Sequence, residues 1–152
     1  MRGAIVTDEG WGLVHFASCA FMAGVIWFVQ IVHYPLMRHV TDRWSEFEIA
    51  HQNRTTFVVA PVMFLEALST MMLWIERPGD TLRIASVVTL SAVVLSTFAV
   101  QVPIHAALSR GFQENLHRRL VRTNVIRALL WTTRSIIGVL ILQSTGSSSG
   151  LA

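Results

Sequence analysis

Three histidines reach one level of the chain from three different segments. His33 closes an apolar run, His51 stands in the polar stretch after it, and His105 comes just after a third apolar run. Neutral imidazole is the commonest metal ligand, and one to three imidazoles with a carboxylate suit iron, copper or zinc. Without a metal, two imidazoles on one cavity serve as base and hydrogen-bond donor toward an acidic C–H or O–H group. The full metal set would be His33, His105, His51 and Glu66. Glu66 lies fifteen residues beyond His51, about 22 Å along a straight helix, so His33, His105 and Glu66 make the easier site. Arg127 and Arg134 are suited to holding a developing enolate or phenolate in a low-dielectric site. Tyr34, Gln30, Gln101 and Asn124 fall at the level of the histidines and would orient a substrate. Trp131 is placed to line a cavity for a flat apolar one. A plainer reading stands beside each of these. Interfacial histidines hydrogen-bond headgroups or water, and Glu66 with Arg134, both about ten residues deep from the same side, can be an ion pair that only fixes helix rotation.

The elements that must position these groups are membrane spans. The 152 residues are 53% hydrophobic, with a mean hydropathy of +0.53. Each span needs roughly 20 mostly apolar residues, so the length allows one domain of four. They are expected at about 11–32, 56–75, 82–102 and 124–142. Pro35 and Pro103 should end spans one and three, and Pro61 should kink span two. The polar stretch 41–54 predicts an interfacial helix entering span two, with Thr41 or Asp42 as N-cap. Residues 144–152, rich in Gly and Ser, are expected to be disordered. The expected fold is therefore all-α, an integral membrane four-helix bundle with an interfacial helix between spans one and two.

Charge argues the same way. All twelve basic residues are arginine, and they flank apolar runs rather than forming a stripe interleaved with aromatics, which speaks against nucleic acid. The connectors after spans one and three carry seven arginines, and the opposite side carries three. That places both connectors inside and both termini outside the inner, cytoplasmic membrane. The single Cys19 makes no internal disulfide and says nothing of redox compartment. A homo-oligomer is compatible with the sequence.

A resemblance appears at these residues. His33-Tyr34-Pro35, then Phe47, His51, Arg54, Pro61 and Glu66, look like a group of small bacterial four-span proteins of unknown function. So do Gln101-Val102-Pro103-Ile104-His105 and the set Asn124, Arg127, Trp131, Arg134. That group is similar to the anthrone-oxygenase-like membrane domains over about residues 10–142. The resemblance implies a four-helix membrane bundle and, for some relatives, oxygenation of a polycyclic aromatic. His105 stands where many of those relatives carry asparagine. Span one also resembles, at Leu13-Val14-His15, membrane haem proteins of the protoporphyrinogen-oxidase type; haem is the less favoured cofactor because His15 has no opposite ligand at its depth. The expectation is a membrane oxidoreductase or oxygenase acting on an apolar small molecule in the bilayer. Its rivals are a non-catalytic subunit or assembly factor and a small metal-handling or transport protein.

Overall fold

The computed structural model describes residues 7–149, with side chains for residues 7–145. It holds four helices, and the described residues contain no strand. Helix α1 (Asp8–Met37) opens on a cap in which the Thr7 hydroxyl accepts from the Gly10 amide, with Asp8 and Glu9 at the positive end of the helix dipole. Helix α2 (Trp44–Glu76) starts after Arg43, which takes the left-handed conformation at φ 54° and holds the N-cap position, so neither Thr41 nor Asp42 is the cap. Helix α3 (Thr81–Leu108) is capped by the Asp80 carboxylate, which accepts from the Arg83 amide. Helix α4 runs Glu114–Ser149, and residues 150–152 of the expected tail lie outside the described residues.

All four helices are long and apolar enough to cross a membrane. Helix α2 alone has 33 residues, about 50 Å at 1.5 Å per residue. A hydrocarbon layer is only about 30 Å thick, so its polar first turns extend past that layer. The outer surface is apolar: Phe57 is 82% exposed, Phe64 68% and Ile31 66%. The interior instead collects Glu66, Arg134, Asn124 and His15, all fully buried. This inverted distribution suits a lipid solvent, in which ionisable groups turn toward the bundle interior.

The prolines do not end their spans. Pro35 and Pro103 each lie two residues past a π-helical turn, Val29–His33 and Thr97–Gln101, after which the helix resumes. A proline inside an α-helix clashes with the carbonyl four residues back and cannot donate to it. Here those carbonyls belong to Ile31 and Ala99, inside the two wide turns. The ladder is carried instead by Tyr34 N–H to Val29 O and Val102 N–H to Thr97 O, each spanning five residues. Such a turn holds one extra residue, which rotates everything beyond it around the helix axis. Tyr34 and His105 both lie just beyond one.

The helices form a ring in which α1 touches α2 and α4, and α3 touches α2 and α4. At the end of the bundle that holds the start of α1, Arg83 ties three helices together: Nη2 donates to both Asp8 oxygens at 2.7 and 2.8 Å, and Nη1 to the Leu73 carbonyl at 2.6 Å. Contact between α1 and α4 depends on Gly138. A Cβ there would sit 3.0 Å from Phe16 Cα, a backbone atom that cannot step aside. Gly138→Ala should cost about 1–3 kcal/mol by overpacking. Gly24→Ala, where a Cβ meets nothing within 4 Å, should be neutral or slightly stabilising. Thermal unfolding of both variants in detergent checks the contrast.

Candidate functional site

Apart from Arg83, most of the buried polar residues fall into two clusters joined by Trp131. The deeper one is built on Glu66 of α2. Its Oε1 accepts from Arg134 Nε at 2.5 Å and from the Cys19 thiol at 3.2 Å, while Trp131 Nε1 bridges both carboxylate oxygens at 3.0 and 3.1 Å. Arg134 also donates to the Ser86 carbonyl at 2.5 Å and to the hydroxyls of Thr70 and Thr89 at 3.0 and 3.2 Å. His15 lies against Ser86 and Thr70 at 3.2 and 3.4 Å, so it is an interior residue rather than an interfacial one. All four helices contribute. Glu66 and Arg134 thus form the mid-bundle pair expected from depth, and every polar side-chain atom of the pair finds a partner.

The second cluster lies toward the arginine-rich connectors and contains a continuous three-residue chain. Glu48 Oε1 meets His105 Nδ1 at 2.5 Å, and His105 Nε2 meets the Tyr34 hydroxyl at 2.9 Å. An ionised carboxylate only accepts, so Nδ1 carries the imidazole proton and Nε2 presents its lone pair to the Tyr34 O–H. Gln52 braces the Glu48–His105 half, donating to Glu48 Oε1 and to the His105 carbonyl, each at 3.2 Å. His117 Nε2 bonds the Tyr34 carbonyl at 2.8 Å and is buried, although its place in a basic connector suggests a solvated side chain. A base oriented by a carboxylate and aimed at a hydroxyl is the general arrangement for activating an O–H group.

Beside this chain is a cavity of about 230 Å³. Val25, Ile26, Val29, Val59 and Val102 supply its apolar wall, and Tyr34, His105, His51, Gln101, Thr97 and Arg127 its polar wall. A cavity of about 150 Å³ accommodates benzene, so this one admits a larger ring system. Arg127 is held from behind: Nη1 donates to Asn124 Oδ1 at 3.2 Å, and Asn124 Nδ2 donates to Gln30 Oε1 at 3.0 Å. Its guanidinium carbon sits 5.2 Å over the Trp131 ring. Thr123 donates its hydroxyl to the Arg119 carbonyl, so it can only accept from Gln101 Nε2, which fixes that amide with Oε1 facing elsewhere. Arg127 Nε, Gln101 Oε1 and Thr97 Oγ1 are buried without a hydrogen-bond partner. Unpaired buried groups cost about 1–3 kcal/mol each, so three on one cavity wall favour a ligand that supplies the missing partners.

The residues singled out in the sequence are thus distributed. Tyr34, His51, His105, Gln101 and Arg127 line the cavity. Gln30 and Asn124 stand one step behind Arg127, while Trp131, Arg134 and Glu66 belong to the deeper cluster. His33 lines a neighbouring groove and pairs with His51, Nε2 to Nδ1 at 2.9 Å. A metal set of His33, His51, His105 and Glu66 does not fit this arrangement. Both nitrogens of His105 are engaged by Glu48 and Tyr34, two histidines bond each other, and Glu66 is bonded within the other cluster. Among the described residues, no three His, Cys, Asp or Glu side chains are grouped to hold a metal ion. Glu48 is the chief site residue that sequence reasoning misses. A signal for it exists: Glu48, His51 and Gln52 share one helical face at spacings of three and four.

No family model, curated protein or solved structure matches the chain.

Proposed function

We propose that this chain is a membrane-embedded oxidoreductase of the oxygenase kind, acting on an apolar ring compound drawn from the bilayer. The observation that carries the reading is the Glu48–His105–Tyr34 chain opening on a largely apolar cavity that also holds Arg127. A substrate C–H or O–H proton passes to the Tyr34 oxygen as the Tyr34 proton passes to His105 Nε2, and Glu48 stabilises the imidazolium that results. Arg127, with Asn124 and Trp131 fixing its plane, holds the enolate or phenolate oxygen in a site of low dielectric.

The resemblance to anthrone-oxygenase-like domains gives the redox half. An anthrone deprotonated at its methylene carbon becomes an electron-rich enolate that dioxygen oxidises. Overall the methylene loses two hydrogens and gains one oxygen atom, and the second oxygen atom leaves as water. The test is dioxygen uptake by anthrone in the presence of the purified protein in detergent. Uptake should exceed that of the detergent blank and should be lost on heating the protein. Equal uptake with and without protein would sink this reading.

In the same reading the polar first turns of α2, through Arg54, reach past the hydrocarbon layer into the headgroup region. Both termini face outside the inner membrane, and the arginine-rich connectors face the cytoplasm. On a Cys19→Ser background, a cysteine replacing Gly79 should be labelled by an impermeant maleimide from outside whole cells, and one replacing Gln113 only after lysis. The opposite pattern would invert the orientation.

A further inference from the structure

A proton delivered to His105 cannot leave along its own hydrogen bonds, because Tyr34 closes one ring nitrogen and Glu48 the other. His51 is the next imidazole. It lines the same cavity, and its ring centroid lies 5.3 Å from that of His105. Its Nδ1 is bonded toward His33 Nε2 at 2.9 Å and Thr55 Oγ1 at 3.1 Å, which leaves Nε2 for the cavity. The His33 and His51 rings are stacked with centroids 4.6 Å apart. Both residues also line a second, shallower groove with Phe28, Arg54 and Val58, all exposed, between α1 and α2. His51 therefore touches the cavity on one side and, with His33, the shallower outer groove on the other.

We infer that His51 and His33 form the exit by which protons leave the cavity for the surface groove at Arg54. The exit rests on the proposed relay through Glu48, His105 and Tyr34. When the Tyr34 hydroxyl turns away from Nε2, the His105 imidazolium releases its Nε2 proton through a water in the cavity to His51 Nε2. His51 gives its Nδ1 proton to His33 Nε2, and His33 releases a proton from Nδ1 into the groove. One proton enters the pair and one leaves it, no bond other than N–H or O–H changes, and no redox partner is needed. Imidazole suits such a path because its two nitrogens accept and release on opposite edges. Arg54, exposed at the mouth, disfavours a proton lingering there by charge repulsion. A pair that only fastened α1 to α2 would not need one member on both the cavity and the groove.

Tyr34 is the only tyrosine in the chain, so tyrosinate absorbance reports on it alone. The experiment mixes full-length protein in detergent rapidly into alkaline buffer and tracks the appearance of that absorbance. In His51→Phe and in His33→Phe the rate should fall by about tenfold or more, with the final amplitude unchanged, as expected when a proton carrier is removed. Free imidazole in the buffer should restore the rate in both. Should His51→Phe fold poorly, His51→Asn, which keeps a polar side chain, is read in the same way. An unchanged rate in both single variants, or slowing that imidazole does not rescue, would overturn the exit. His105→Phe separates this from failure of the relay: there the amplitude itself should change, and an unchanged amplitude would count against the relay and not the exit.

Discussion

Arg134→Met should be the most damaging single substitution in the protein, with an expected cost of about 3–5 kcal/mol and a collapse in folded yield from detergent. The substitution leaves the Glu66 carboxylate fully buried without its cation, and the Trp131 and Cys19 donors cannot replace a full positive charge. Glu66→Gln strands Arg134 in the same way, although the amide keeps an acceptor for Trp131. The double variant Glu66→Gln, Arg134→Met removes both charges together and should recover a large part of the loss. Folded yield and thermal midpoint of the two single variants and the double variant form the cycle. Strictly additive losses would show that the 2.5 Å contact between the two side chains contributes no coupling.

Within the relay the expected loss is of activity rather than of fold. Glu48→Gln and Tyr34→Phe should each lower the rate of anthrone oxygenation by about 10²–10⁴, the range of a positioned proton-transfer group. Tyr34→Phe keeps the ring that packs with Val29, Met37, Ile104 and Leu108, so its thermal midpoint should barely move. Glu48→Gln keeps the shape but allows the amide to donate to His105, which favours the imidazole tautomer that cannot accept from Tyr34. Both variants should lower kcat with little change in KM, since neither Glu48 nor the Tyr34 hydroxyl supplies the apolar wall of the cavity. A fall confined to KM would assign these residues to binding and leave the proton relay without support.

Depth along the chain is legible in the sequence, and rotation about each helix is not. Counting 1.5 Å per residue from one membrane face puts Glu66 level with Arg134, and they meet. The same count sets Gln30 level with Asn124 and Arg127, and the three form one hydrogen-bonded string. It also sets His33 level with His105, yet His33 faces the outer groove while His105 faces the cavity. His33 is the last residue of its π-turn, whereas His105 lies beyond the other one, where the added residue re-aims the side chains. Whether a proline stops a helix or is absorbed by such a turn depends on the packing of the neighbouring helices, which no local pattern records. Glu48 is hidden for a related reason. Hydropathy assigns residues 41–54 to a connector, whereas α2 begins at Trp44 and carries Glu48 on a continuous helix into the bundle. His15 and His117 look peripheral from their distance to a span end, and both turn inward to bond partners on other helices.

The relay requires one particular tautomer of His105, and nitrogen NMR of the imidazole side chains reads it directly. In protein labelled at histidine nitrogens, His105 should carry its proton on Nδ1, bonded to Glu48, with an unprotonated Nε2 accepting from Tyr34. The Nε2 resonance should move in Tyr34→Phe and the Nδ1 resonance in Glu48→Gln. A His105 protonated on Nε2, with an Nδ1 resonance indifferent to Glu48→Gln, would leave no lone pair facing Tyr34 and would contradict the relay.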